Sequence, residues 1–200
     1  MTTPTGPSNP RAGSEPASPR QRRFEARHRQ LLAVALEIAE EEGWEALTTR
    51  RLATEIGYSQ PVVYSHFNSR EELVDRLALD GFEQLTDMIQ QVSPAGHRST
   101  TESVCRAYIE FGQQHPRLYE AMFTLTSSLP FASADTPAEL REAFARLERA
   151  VAPDLPAEQA AAQAELIWAC SHGLTTLLLA RRIPPDRLDD HIRRIAAMTK

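Results

Sequence analysis

The stretch Leu47-Thr-Thr-Arg-Arg-Leu-Ala-Thr-Glu-Ile-Gly-Tyr-Ser-Gln-Pro-Val-Val-Tyr-Ser-His-Phe67 constrains the fold more than any other part of this chain. Leu52, Ala53 and Ile56 recur at helical spacing, which predicts a short helix from about Thr49, with Thr48 or Thr49 offering a side-chain oxygen to its first backbone donors. Gly57 ends it, because glycine accepts the left-handed conformation that a helix stop often needs. Ser59 or Gln60 then caps a second helix, with Pro61 in its first turn, where a missing N–H costs little. Two short helices joined this closely cannot lie antiparallel. They must cross, which leaves the second projecting, and that geometry suits a helix entering the DNA major groove.

The rest of the chain reads as helical without any required strand. A first helix runs from about Arg22 to Glu42, with an apolar stripe at Leu31, Leu32, Ala35 and Ile38. The capping box Ser69-x-x-Glu72 opens a long helix carrying Leu73, Leu77, Leu85, Met88, Ile89 and Val92, broken at Ser93-Pro94-Ala95-Gly96. Ser99-x-x-Glu102 opens the next, which stops near His115-Pro116 because a residue preceding proline is pushed out of helical space. A short helix carries Leu118, Tyr119, Met122 and Phe123, and Thr126 to Thr136 forms a loop. Thr136-Pro137-Ala138-Glu139 reads as a further capping box, opening a helix to about Val151. After a turn between Pro153 and Pro156 come a long helix from about Ala157 to Arg181, the pair Pro184-Pro185, and a last helix striped by Leu188, Ile192 and Ile195. The expected fold is all-α: a disordered basic tail (residues 1–20), a three-helix head (21–70) and a larger helical body (71–200), with the helix after Ser69 shared by head and body.

Charge is distributed unevenly. Residues 1–70 hold nine arginines against eight acidic residues, a balance of +1, whereas the remainder carries −6. The relatively basic end is therefore the one with the helix-turn-helix, and the acidic end does not belong on phosphates. Arg11, Arg20, Arg22, Arg23, Arg27 and Arg29 make the tail and its junction basic, either as a solvated leader or as an arm touching phosphate or the minor groove. Cys105 and Cys170 form no C-x-x-C pair or disulfide framework, which fits a reduced cytoplasm. No apolar leader is visible. The most apolar run, Leu166 to Ala180, is interrupted by Ser171, His172, Thr175 and Thr176 and falls short of the about 20 residues a membrane span needs, so no membrane partner is expected.

The run from the Leu31 stripe through Gly43, Leu47-Thr48, Gly57, Tyr64-Ser65-His66-Phe67 and Ser69-Arg70-Glu71-Glu72-Leu73 resembles the N-terminal domain of the tetracycline-repressor (TetR) family of transcriptional regulators over roughly residues 24–75. Arg70 stands where a lysine is usual and keeps the charge. Carried over by position, the resemblance implies that Thr49 and Arg50 contact the phosphate backbone, with a base edge as the alternative for Arg50. It also implies that Gln60, Pro61 and Val62 meet base edges, that Tyr64 and His66 form a phosphate-binding pair, and that Arg70 adds its charge at a helix N-terminus. For His66 the alternative is a hydrogen-bonded structural histidine.

In the body, Tyr108-Ile109-Glu110-Phe111, His115-Pro116-Arg117-Leu118-Tyr119, Met122-Phe123 and Trp168-Ala-Cys-Ser-His172-Gly173 are similar to the C-terminal domain of a TetR subset named for a Trp-His-Gly motif. Trp168 and His172 stand four apart and share a helix face. The helix around Leu166–Leu179 is apolar nearly all round and must be buried on more than one side. The resemblance implies a homodimer through the last two helices, recognition helices roughly 34–36 Å apart or somewhat more, and a near-palindromic double-stranded DNA operator. It also implies a small-molecule effector in a body cavity, with candidate lining Tyr108, Phe111, Tyr119, Met122, Phe123, Phe131, Trp168 and His172. Few charges fall among these residues, which points to a neutral or weakly polar, largely apolar ligand; each aromatic read singly is more readily an ordinary core residue, and the pocket reading rests on the set.

Catalysis is not expected. Cys170 and His172 are two apart on a helix and point to different sides, and the histidines lack metal-binding spacing, so neither metal nor cofactor is expected. The reading is a ligand-responsive repressor. The alternatives are a helix-turn-helix regulator without small-molecule sensing (constitutive, architectural or protein-controlled) and an activator.

Overall fold

The computed structural model describes residues 18–92, 99–125 and 129–198, and all regular structure among them is helical. The head comprises α1 (Pro19–Glu42), a 3-10 turn (Trp44–Ala46), α2 (Thr49–Glu55) and α3 (Gln60–Tyr64). It is followed by α4 (Arg70–Gln90), α5 (Thr100–Gln114), α6 (Pro116–Phe123), α7 (Ala138–Val151), α8 (Ala157–Leu179), a 3-10 turn (Pro185–Arg187) and α9 (Leu188–Met198). The expected break at Ser93–Gly96, the start of the Thr126–Thr136 loop and the tail up to residue 17 lie outside the described residues.

Side-chain caps set several helix starts. Ser18, Thr48, Ser69 and Ser99 each accept from the backbone N–H three residues on. The Ser69 box closes differently from a standard one: the Glu72 carboxylate takes the N–H and side-chain amide of Asn68, both at 2.7 Å. Thr136 is not the cap of α7, because its hydroxyl accepts from the Ser133 N–H at 3.1 Å and so closes the preceding turn, leaving Pro137 at the N-cap. Pro137 therefore precedes α7 and does not sit in its first turn.

The core is continuous from head to body. Leu31, Leu32, Ala35 and Ile38 of α1, Leu52 and Ala53 of α2, Val63 of α3 and Phe67 are buried in one cluster with Leu73, Leu77, Phe82, Leu85 and Ile89 of α4. That cluster runs on through Val104, Ile109 and Phe111 of α5 to Ile167 of α8 and Ile192 of α9. α4 packs against α1, α5, α6 and α7, so the head rests on the same helix that forms a wall of the body. α5 crosses α8 at Gly112, where an added Cβ would stand 2.3 Å from Thr175 Cγ2. No side chain fits there, and the helices owe their close approach to that absence.

In the head, Phe24 stacks on His66 with centroids 4.1 Å apart, and His28 stacks on Phe67 at 4.5 Å. Both nitrogens of His66 and Nδ1 of His28 are buried without a hydrogen-bond partner among the described residues. Burial holds both imidazoles below the ordinary histidine value. Arg76 adds to this at His28, opposed by Asp80 and Glu72, and His28 and Arg27 add to it at His66.

Two outcomes are expected. Gly112→Ala should lower unfolding stability by about 1–3 kcal/mol through overpacking, and Thr175→Ser, which removes the opposing methyl, should restore part of it in the double variant; urea titration reads both. The unfolded chain binds protons on these histidines that the folded head resists. Stability is thus complete above about pH 6.5 and declines as pH falls below it. His66→Phe should flatten that decline between pH 7.5 and 5.5, and an unchanged slope would place its source elsewhere.

Candidate functional site

The turn between α2 and α3 positions the projecting helix. Gly57 adopts φ +70°, the Gly57 N–H donates to Thr54 O at 3.3 Å, and the Tyr58 N–H donates to Ala53 O at 3.0 Å. This is the paired Schellman arrangement that reverses a chain after a helix. Arg27 lies over the Tyr58 ring at 4.9 Å and ties the turn to α1. Buried Val63 and Phe67 root α3 in the head, while Gln60, Pro61 and Tyr64 are exposed and Val62 is half-buried. The Tyr64 hydroxyl lies 3.3 Å from Thr49 Oγ1, so the end of α3 and the start of α2 present two hydroxyls together.

The adjacent arginines of α2 divide their work. Arg51 pairs with Glu42 at 2.7 Å and also with Glu55, binding α2 to the end of α1. The Arg50 side chain is exposed, with no ion pair or hydrogen bond among the described residues, and stands beside Thr49. Thr49, Arg50, Gln60, Pro61, Val62 and Tyr64 thus gather on one end of the head.

Two residues expected on this surface are placed otherwise. His66 is 8 % exposed against 49 % for Tyr64, because its ring is stacked beneath Phe24. It is a buried ring without the hydrogen bond of a structural histidine, and it is not half of a surface pair. Arg70 turns inward: Nε donates to Leu47 O at 2.9 Å and Nη2 to Trp44 O at 2.7 Å. Its guanidinium fork satisfies the carbonyls of the 3-10 turn and fixes the start of α4 to the head.

The body contains a cavity of about 760 Å³. α4 supplies Phe82, Leu85, Thr86 and Ile89; α5 and α6 supply Tyr108 and Phe123; the 129–137 loop supplies Phe131 and Thr136. α7 contributes Leu140, Arg141, Phe144, Leu147 and Glu148, and α8 contributes Glu165 and Trp168. Of the aromatic candidates read from the sequence, Tyr108, Phe123, Phe131 and Trp168 line it. Phe111 does not, being fully buried between helices, and Met122 is turned toward Gly81 of α4.

Tyr119 and His172 lie behind the wall. Trp168 Nε1 donates to the Tyr108 hydroxyl at 3.0 Å, the Tyr119 hydroxyl donates to Tyr108 at 3.2 Å, and His172 Nδ1 meets the Tyr119 hydroxyl at 2.7 Å. An Nδ1–H tautomer of His172 satisfies that last contact. Burial raises the Tyr108 hydroxyl far above its ordinary value, pushes Tyr119 up to about 12 and lowers His172, so all three stay uncharged at neutral pH. The lining from α4 and α7 was not singled out from sequence. Its signal was there in Phe82 and Phe144, but helical spacing does not distinguish a cavity wall from a core. The lining also carries three charged residues outside the candidates read from the sequence, Arg141, Glu148 and Glu165.

Comparison with known proteins agrees with this division. Residues 31–77 match the profile of bacterial regulatory proteins of the tetR family, and residues 101–199 match a tetracyclin repressor-like C-terminal domain. An HTH-type transcriptional regulator of Mycobacterium tuberculosis is 28% identical over 185 residues, covering 86% of this chain and 81% of that protein. The class C tetracycline repressor of Escherichia coli is 46% identical over 48 residues, which covers 24% of this chain and only 22% of that repressor, so that likeness is confined to the head. A solved structure from Rhodococcus sp. RHA1 superposes with a TM-score of 0.69 at 26% identity, covering 86% of this chain and 92% of that one. With head and body each matched, the chain belongs to the TetR family of DNA-binding transcriptional regulators and is not an enzyme.

Proposed function

We propose that this chain is a ligand-responsive repressor. Two copies pair, bind a near-palindromic operator, and release it when a small, largely apolar molecule occupies the body cavity. The observation that carries this reading is the double duty of α4. Its N-terminus is held to the head by Arg70, while Phe82, Leu85, Thr86 and Ile89 of the same helix line the cavity. A ligand that changes the seat of α4 changes the seat of the head. A body without a cavity would have favoured regulation without a small molecule.

Pairing through α8 and α9 is supported by what one copy leaves uncovered. Leu166, Leu177 and Leu179 of α8 and Met198 of α9 are exposed, although α8 buries its opposite face through Ala164, Ile167, Ser171 and Thr175. Two-fold pairing would cover those leucines and set the two α3 helices on successive major-groove faces.

The deciding experiment is footprinting on DNA flanking the chain's own gene, titrated against salt and an unrelated duplex. Protection of a short near-palindrome, lost on adding an effector, is the expected result; uniform, salt-sensitive binding alone would defeat the proposal. Gln60→Ala should cost about 1–3 kcal/mol on the operator and relax one base position in a site selection, whereas Tyr64→Phe should weaken operator and unrelated duplex by the same factor. Leu166→Arg combined with Leu177→Arg should yield a folded monomer by sedimentation and remove protection of the palindrome. A variant that still sediments as a dimer would move the interface off α8.

A further inference from the structure

We propose that the molecule this cavity accepts is a lipophilic cation, an inference that rests on reading the cavity as the effector site. Two features of the lining, rings and charges, point to it independently. The aromatic rings form a continuous wall. Phe131 meets Phe82 at 6.2 Å, Phe82 meets Phe123 at 5.2 Å, Phe123 meets Trp168 at 6.3 Å, and Trp168 meets Phe144 at 6.4 Å. The indole N–H of Trp168 is committed to Tyr108, so the cavity meets its ring system and not its donor. Aromatic faces are partially negative and attract cations.

The charges in the lining agree. Glu148 stands one turn beyond Phe144 on α7, and Glu165 one turn before Trp168 on α8, so the carboxylates belong to the same two walls as that aromatic pair. Neither carboxylate has an ion pair or hydrogen bond among the described residues. The arginines beside Glu148 are engaged elsewhere: Arg146 and Arg149 both hold Glu142, at 2.9 and 3.1 Å, and Arg146 also faces Asp87 at 3.5 Å. Among the described residues the one cation of the lining is Arg141, which donates to Thr136 O and lies two helical turns from Glu148, about 10 Å along α7.

The hydroxyl of Thr86 donates to Phe82 O. Among the described residues the lining thus carries one guanidinium, two turns from Glu148, against two carboxylates without a partner, half-buried Glu148 and exposed Glu165, beside the aromatic rings, a net charge of −1 that favours a cation over an anion. A neutral ligand would strip water from half-buried Glu148 without compensating it, whereas a cation restores the lost interaction.

The test uses three probes of similar shape and different charge on the full chain: tetraphenylphosphonium, tetraphenylborate and triphenylphosphine oxide, each titrated by calorimetry in sodium buffer, with Nile red as a neutral reporter of the cavity. The phosphonium should bind about tenfold more tightly than the other two, an advantage of the size that aromatic and carboxylate contacts supply to a cation. Glu148→Gln combined with Glu165→Gln should remove that advantage while leaving Nile red binding within about twofold, which shows the cavity intact. Equal or tighter binding of the borate or the oxide, or a phosphonium affinity indifferent to the two glutamates, would overturn the cation assignment and leave the cavity reading standing. Failure of all four molecules to bind the unaltered chain would overturn both.

Discussion

Arg70 closes a joint on which the rest of the molecule depends. The Trp44 carbonyl accepts the Leu47 N–H inside the 3-10 turn, and one guanidinium adds a second bond to it and takes the Leu47 carbonyl as well. The same residue begins α4, and α4 then runs 21 residues without interruption into the body. Head and body cannot shift independently at that point without breaking both Arg70 bonds or bending a helix that buries one face along most of its length. In the proposed mechanism that stiffness couples cavity and head, because a displacement imposed at Phe82 or Ile89 would be carried to the head along a continuous helix.

The polar groups behind the cavity serve a related end. Tyr108, Tyr119, Trp168 and His172 come from α5, α6 and α8 and are linked in one chain of hydrogen bonds. Burial keeps the two tyrosines and His172 uncharged, so the chain brings no net charge to the cavity, and it fixes the orientation of the Trp168 and Tyr108 rings at the lining. Met122, on the same short helix as Tyr119, lies against Gly81 of α4, where an added Cβ would come within 2.7 Å of its sulfur. The back of the cavity and the α4 wall are thus in close contact through α6.

The head was legible in the sequence because its signals are local. Thr48, Gly57, Pro61 and Ser69 act on backbone within a few residues of themselves, and each lies where its chemistry predicts. Most of the departures were long-range. Nothing near Arg70 in sequence indicates that its partners lie more than twenty residues away at Trp44 and Leu47, and nothing near His66 indicates that Phe24 covers it. Thr136 was misread because threonine, proline and glutamate at capping spacing are indifferent to whether the hydroxyl turns forward to the helix or back to Ser133. In the body the aromatic residues were visible but their sorting was not. Phe111 and Phe123 are alike in type and helical context, yet one is fully buried between helices and the other faces a cavity, a difference set by where α7 comes to rest.

Energetics sharpen what any occupant must do. A molecule that bound equally well with the heads in either position would change nothing, however tightly it bound; moving the population from mostly bound to mostly released requires a preference of about 5.5 kcal/mol between the states. The cavity supplies a route to such a difference because its wall is shared. Contacts to Trp168 and Phe144 hold a ligand to the parts of the body formed by α7 and α8, whereas contacts to Phe82, Leu85 and Ile89 depend on where α4 lies. In the proposed mechanism the second group would change most directly as the head moves. Binding strength and regulatory effect would therefore be partly separable, the α7–α8 side bearing more on how tightly a ligand is held and the α4 side on how far the heads are displaced.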